Sequence, residues 1–362
     1  MSANMDTAII LADDFINGDS CKTTHGLIRK SLRFKIIGIV DEMNANNEAG
    51  TLLDGIDKGI PVFASVDELL NEVEEKPKFC IVGIATSGGV ITPYIIKHGV
   101  KALNNGLSLI CGLHSFISEN EEMIAAAKSG GVDLIDIRKS RPRNELHFWK
   151  GDVLKVKAPR IAVLGTDCNL GKRTSSQYLV DKCLENGIKA EMIYTGQSGW
   201  LQGGKYGFIL DATINDFVSG EIEHAIVECD HHESPDIMFL EGQSALRNPS
   251  GPCGSELIIS GKAGGVILQY GPGYQFFQGF EEIGWEHGSI QDEIELVRLY
   301  GSKVIAITLN MNGIEPEKED EIQQQLRSKL NIPVVNVMKE GVDELIPLIK
   351  EFIKEFVTNQ FK

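Results

Sequence analysis

Arg160-Ile161-Ala162-Val163-Leu164-Gly165-Thr166-Asp167-Cys168-Asn169-Leu170-Gly171-Lys172-Arg173-Thr174 reads as a buried strand that runs into a glycine-bounded loop and then a helix. Residues 161–164 are a short, unbroken apolar run, the mark of a strand covered on both faces. In a loop of this kind, backbone N–H groups and the positive helix end converge on phosphate oxygens. Gly171 lets the backbone come close to an anion, and Lys172 brings a full positive charge to it. The stretch predicts a phosphate-binding loop, with Gly165, Thr166, Asp167, Cys168, Asn169, Gly171, Lys172, Arg173 and Thr174 as the residues that hold a nucleotide or a nucleotide-bearing cofactor.

Two details narrow the chemistry. The loop is one residue longer than G-x-x-x-x-G-K-[ST], and with its Gly-Thr-Asp opening it resembles the loop of dethiobiotin synthetase. Arg173 stands where a Ser or Thr ordinarily binds magnesium, and Thr174 lies about 100° further round the helix. A phosphate or pyrophosphate therefore suits the loop better than a magnesium–triphosphate complex.

Outward from the loop, short apolar runs alternate with helical patterns. Strands are expected at 190–194, 237–240, 265–269, 303–308 and 334–337, and helices at 172–186, 291–300, 317–330 and 342–356. Upstream, residues 7–11, 35–40, 79–85, 107–111 and 132–137 read as strands, with helices at 66–73, 93–104 and 119–128. Asp67 is expected to cap the first of these helices and Pro93 to open the second. Alternation of this kind implies parallel sheets with helices on both faces. The pattern breaks into basic, proline and polar residues over 140–159. The chain is therefore expected to be α/β, a parallel-sheet domain over 1–150 followed by a P-loop NTPase-like domain over 151–362. The first strand runs into Ala12-Asp13-Asp14-Phe15-Ile16-Asn17-Gly18, which lacks G-x-G-x-x-G, so no NAD redox role is expected there.

Other polar groups fall at strand ends, where open α/β sheets bind ligands. Glu241 ends an apolar strand and is followed by Gly242 and Gln243, and a carboxylate there can accept a proton or hold a metal. Thr195-Gly196-Gln197-Ser198-Gly199 follows another strand, and Asp211 and Asp216 mark a helix start or a site wall. The loop from Gly271 through Pro272 to Phe277 suits a ligand cover or a subunit contact. Asp230-His231-His232-Glu233 has metal-ligand residue types, but neighbours on one chain point in different directions. Ser87-Gly88-Gly89 suits an anion or a turn, and His114 suits a structural role.

A formal net charge of −16 disfavours a nucleic-acid backbone as partner. No apolar run is long enough to span a bilayer, and Met1-Ser2-Ala3-Asn4 opens no export signal. The seven cysteines are scattered and never paired as C-x-x-C. That usage suits a reducing cytoplasm and gives no metal site. Aromatic residues in glycine-rich segments (Trp200, Tyr206, Phe208, Phe276, Phe277, Trp285) suggest a homo-oligomer or an acyl pocket.

Several of these segments, in this order, resemble the D-glutamate N-acetyltransferase-like family, long catalogued as a domain of unknown function. They are Gly83-Ile84-Ala85-Thr86-Ser87-Gly88-Gly89-Val90, Gly112-Leu113-His114, Leu134-Ile135-Asp136-Ile137-Arg138, Gly165-Thr166-Asp167-Cys168, Gly171-Lys172, Thr195-Gly196-Gln197, Asp211 with Asp216-Phe217, and Glu241-Gly242-Gln243. The loop Arg247-Asn248-Pro249-Ser250 matches the family's His-Pro-Ser in part. The resemblance implies a Rossmann-like domain joined to a P-loop domain, and acetyl transfer from acetyl-CoA to the amino group of D-glutamate or a related small amino acid. Amine acylation needs a base and an oxyanion donor. Glu241 or Asp216 suits the base, Gln197, Gln243 or backbone amides suit the oxyanion, and Ser198 and Asp211 suit the substrate. Two other readings stand beside it: a Mg-ATP-dependent carboxylate-activating or kinase-like enzyme, and a non-catalytic nucleotide-responsive module.

Overall fold

The computed structural model describes residues 5–17 and 21–360, so Met1–Asn4 of the export reading and Gly18 of the opening loop lie outside the described residues. The described chain forms two compact units. One runs to Arg141 and includes Gly196–Gly204; the other comprises Pro142–Thr195 and the chain from Lys205 onward.

The first unit is built on six parallel strands: β1 (Asp6–Leu11), β2 (Phe34–Val40), β3 (Val62–Phe63), β4 (Phe79–Val82), β5 (Ser108–Cys111) and β6 (Leu134–Asp136). Their order, β3-β2-β1-β4-β5-β6, is the Rossmann order. The pleat of β1 sends Ile9 and Leu11 into one apolar core and Ala8 and Ile10 into the other. Both faces are thus covered, which is why the strand reads as a continuous apolar run. Pro93 opens its helix behind Thr92, as the sequence predicted. Asp67 does not cap the preceding helix. Ser65 does, accepting from Glu68 N, because Ser65 is the residue with extended backbone, and Asp67 lies inside the first turn.

The second unit has seven parallel strands: β7 (Arg160–Gly165), β8 (Ala190–Tyr194), β9 (Tyr206–Gly207), β10 (Ile237–Glu241), β11 (Gly265–Tyr270), β12 (Val304–Leu309) and β13 (Val334–Val335). In the order β13-β12-β11-β7-β10-β8-β9, the strand leading into the phosphate-binding loop is central. Because every neighbour is parallel to it, the loops after β7, β8, β10 and β11 all leave at one edge.

The longest helix, Asn215–Glu233, was not legible in full. Its buried face carries Glu221 and Glu223, which interrupt the apolar stripe. Glu221 accepts from His147 N at 2.8 Å, and Glu223 accepts from Lys150 N at 2.6 Å and Val153 N at 3.1 Å. Those bonds fasten the stretch after Arg141 to the second unit. Of the aromatic residues singled out above, Phe208 and Phe277 are buried, Tyr206 lies in β9, and Trp200 packs under the Arg33 guanidinium. Among the described residues no helix is long and apolar enough to cross a membrane.

Glu48 closes the turn before β3. Its carboxylate accepts from Gly50, Thr51, Lys58 and Ile60 backbone N–H groups. Burial would raise its pKa, but these donors, Ile60 first, outweigh burial and bring it down to about 2. A carboxyl depressed in the folded state adds stability that is complete above its unfolded pKa and is lost as pH falls toward the folded value. Glu48→Gln should therefore cost about 1.5–3 kcal/mol at pH 7. In urea titrations that difference should shrink between about pH 4.5 and 2; a difference unchanged over that window would count against the account.

Candidate functional site

At the end of β7 the chain bends sharply, with Asn169 at φ 51° and Gly171 at φ 101°, and the helix Lys172–Glu185 begins. Gly171 is a glycine because of that angle. Gly165 is one for another reason: a Cβ there would lie 3.0 Å from the Lys172 side chain. The lysine stem folds back over it and is only 7% exposed. Lys172 Nζ donates to Asp167 O at 2.5 Å and to Ser244 O at 2.9 Å. No carboxylate pairs with it among the described residues, and burial pushes its pKa down. The neighbouring Thr166 is 3% exposed, and its Oγ1 has no hydrogen-bond partner among the described residues. A buried ammonium held by carbonyls beside an orphaned hydroxyl fits a bound phosphate, which supplies both a countercharge and acceptors.

Asp167 ties this loop to its surroundings. Oδ1 accepts from Cys168 N at 2.7 Å and Asn248 Nδ2 at 3.3 Å; Oδ2 accepts from Gln278 N at 2.8 Å and meets His287 Nε2 at 3.1 Å. Burial alone would raise its pKa, but the His287, Gln278 and Cys168 bonds outweigh it and hold the carboxyl below its ordinary value. Asn169 Nδ2 also reaches Gln278 Oε1 at 3.0 Å. The segment 275–287 is thus fastened to the loop 165–171 at Asp167 and Asn169.

A second cluster forms where β10 and β8 end. Glu241 is buried, and its Oε2 accepts from Thr195 N at 3.1 Å and from Arg173 Nη1 at 3.3 Å. Thr195 Oγ1 donates back to Glu241 O at 2.7 Å and accepts from Gln243 Nε2 at 3.2 Å. Gly242 permits the close approach to β7, since a Cβ would lie 2.4 Å from Val163 O. Ser244, which follows, is held at φ 44°, and its carbonyl is the one that receives Lys172. Left-handed backbone in a non-glycine residue costs energy and recurs at ligand sites.

The structure therefore brings Glu241, Gln243 and Arg173 together with the loop 165–174. Asp211 and Asp216 are exposed, in a short turn and in the first turn of Asn215–Glu233. Gln197 and Ser198 lie in the short helix Gln197–Leu201, which belongs to the first unit. With its amide oriented to satisfy both neighbours, Gln197 donates to Gly112 O and accepts from Arg138 Nη1, each at 3.0 Å. The Asp230–Glu233 run closes the long helix: Glu233 meets Lys205 and Tyr206, and His232 meets Glu228. Gly88 and Gly89 turn the chain with positive φ, and a Cβ on Gly89 would strike His114. In the first unit, buried Asp41 directly follows β2, where Rossmann proteins place the acid that meets a ribose. Here it accepts from Phe15 N, Met43 N and Asn44 Nδ2. Sequence reading missed Ser244 and His287, which sit outside any spacing motif and meet the loop only through the fold, and gave no role to Asn248, which it quoted only within a partial motif match.

Two family models match the chain, a P-loop domain of unknown function (DUF1611_C) over residues 147–346 and a Rossmann-like domain (DUF1611_N) over 42–140. The chain belongs to the DUF1611 family. Curated relatives named D-glutamate N-acetyltransferase include one from Pseudoalteromonas sp., 27% identical over 277 residues. Another, from Tritonibacter scottomollicae, is 25% identical over 276 residues. Each alignment covers 74% of this chain and 80% of the relative. A crystal structure of a DUF1611 family protein from Anabaena variabilis shares the fold, with a TM-score of 0.85 and 24% identity over 96% of this chain and 99% of that one.

Asp167→Ala leaves His287 and two backbone N–H groups without their acceptor. It should cost about 3–5 kcal/mol of stability. Amide exchange at Gln278 should rise well before the amides of β7 exchange; equal protection of Gln278 in variant and wild type would refute the latch.

Proposed function

We propose that this DUF1611 protein is an acyl-CoA-dependent N-acyltransferase that moves an acetyl group from acetyl-CoA to the amino group of D-glutamate or a related small amino acid. The observation that carries the reading is the buried Lys172 ammonium, which among the described residues meets only carbonyl oxygens, beside an Arg173 that stands where a magnesium-binding hydroxyl would be. Such a loop suits a pyrophosphate taken directly by amides and cations. The names of the curated relatives point the same way.

When bound, acetyl-CoA supplies the thioester whose carbonyl carbon the amine attacks and whose thiolate leaves with a proton. Residues 165–172 would hold its phosphates, with Lys172 supplying the positive charge. Arg173 is steered by Glu241 Oε2 toward the same edge. Glu241 Oε1 takes no donor among the described residues and receives the proton of the substrate ammonium. Gln243, fixed through Thr195, offers its amide to the oxygen that gains charge. Asp216 is the alternative base, and Gln197, Ser198 and Asp211 are the candidate acceptor-binding groups.

Thermal-shift measurements test this directly. Acetyl-CoA should stabilise the chain without added magnesium, by about 2.7 kcal/mol at a hundredfold excess over Kd. Lys172→Ala should weaken that binding by about 1.5–3 kcal/mol. Glu241→Gln still accepts from Arg173 and Thr195, so it should spare binding and lower acetyl transfer on the order of 10²–10⁴-fold. Stabilisation only by magnesium-ATP, with no response to CoA, would replace this reading with the ATP-dependent one.

A further inference from the structure

The chain between β11 and the helix Ile290–Leu299 folds back on itself. Phe276 and Glu286 form an antiparallel bridge, Phe277 N donates to Trp285 O at 3.0 Å, and His287 N donates to Gln275 O at 2.9 Å. Opposed residues of an antiparallel pair share a face, as do residues two apart on one strand. Phe277, Trp285 and His287 therefore stand on one face of this hairpin. Two of the three are engaged. Phe277 is 2% exposed and meets the His287 ring edge-on at 4.3 Å, and His287 reaches Asp167 Oδ2. That face is consequently the one turned to the phosphate loop.

Trp285 ends the same face and is 51% exposed, with Ile283 two residues earlier at 69%. Neither ring nor cation stacks on Trp285 among the described residues. A lone exposed apolar side chain needs no explanation. A tryptophan at the uncovered end of a face latched to an anion-binding loop is a different case, because it adjoins a site that takes charged ligands. Glu281 and Glu282 at the hairpin tip are exposed carboxylates. They repel phosphate, so the charged end of a ligand is directed to residues 165–172 and its uncharged end to the hairpin.

We infer that Trp285 is the stacking platform for the adenine base of the ligand whose phosphates the loop holds. The inference rests on the reading of residues 165–174 as a phosphate seat and adds the base-recognising wall. The recognised chemistry is the adenosine diphosphate group, which coenzyme A and ATP share. A tryptophan face accepts a flat heteroaromatic ring without a fixed hydrogen-bond pattern, and such stacking has a measurable effect on affinity.

Isothermal titration of the full chain with CoA, ADP and inorganic pyrophosphate tests it, using wild type, Trp285→Ala and Trp285→Phe. Trp285→Ala should bind CoA and ADP on the order of 10- to 100-fold more weakly and pyrophosphate as wild type does. Trp285→Phe should recover most of the loss. Unchanged CoA and ADP binding by Trp285→Ala overturns the inference. A loss confined to CoA also overturns it, because the contact is then to a part other than adenosine. An equal loss for pyrophosphate does so too, because the hairpin then acts through the loop. Wild type that binds neither pyrophosphate nor CoA removes the phosphate seat itself and the inference with it, whereas intact pyrophosphate binding keeps the two failures apart.

Discussion

A primary ammonium enclosed in protein, with carbonyl oxygens as its only acceptors among the described residues, is an expensive arrangement, and the second unit is organised around one. Lys172 is placed there by three separate features. The central strand delivers the loop, Gly165 leaves space for the stem, and Ser244 turns its carbonyl inward from a left-handed conformation. Removing water from a charge raises its energy, so a site that keeps the charge must gain by presenting it to an anion. Helix Lys172–Glu185 is held in position by Ser175, whose hydroxyl shares Gln269 Oε1 with Thr308. Even polar groups well behind the loop thus serve its geometry.

The loop itself was legible because its chemistry demands a local sequence. A close backbone approach needs glycine, a phosphate needs a cation at the helix start, and a central parallel strand needs an apolar run. The two parallel α/β sheets followed from the alternation of strands and helices for the same reason. What stayed hidden is of two kinds. Asn215–Glu233 was obscured because its buried acids satisfy backbone N–H groups of residues 147–153, a demand created only by tertiary packing. Asp67 looked like a cap by residue type, yet capping depends on which residue has the extended backbone, and that was Ser65.

The Thr195-Gly196-Gln197 motif shows a further limit. Read along the chain it is one polar turn after a strand. In the structure Thr195 stays with the second unit and braces Glu241, whereas Gln197 is fixed by Gly112 and Arg138 in the first. Gly112 has no side chain because the Gln197 amide occupies that position; a Cβ would lie 1.3 Å from it. Residues adjacent in a motif can therefore answer to different packing constraints, and spacing alone does not assign them one role.

Arg173 separates what this loop can do from what loops of its kind commonly do. A hydroxyl after the lysine is a neutral oxygen ligand for magnesium, which prefers oxygen donors and retains its waters. A guanidinium cannot ligate a cation at all and repels one. It pairs with Glu241, the acid at the end of β10, so a carboxylate available in principle to a metal is already committed through one oxygen to an organic cation. The substitution thus removes one metal ligand and engages a second. Under the function proposed above, Lys172 and Arg173 take the part that a metal plays elsewhere, and the ligand's phosphates serve for binding and are not transferred.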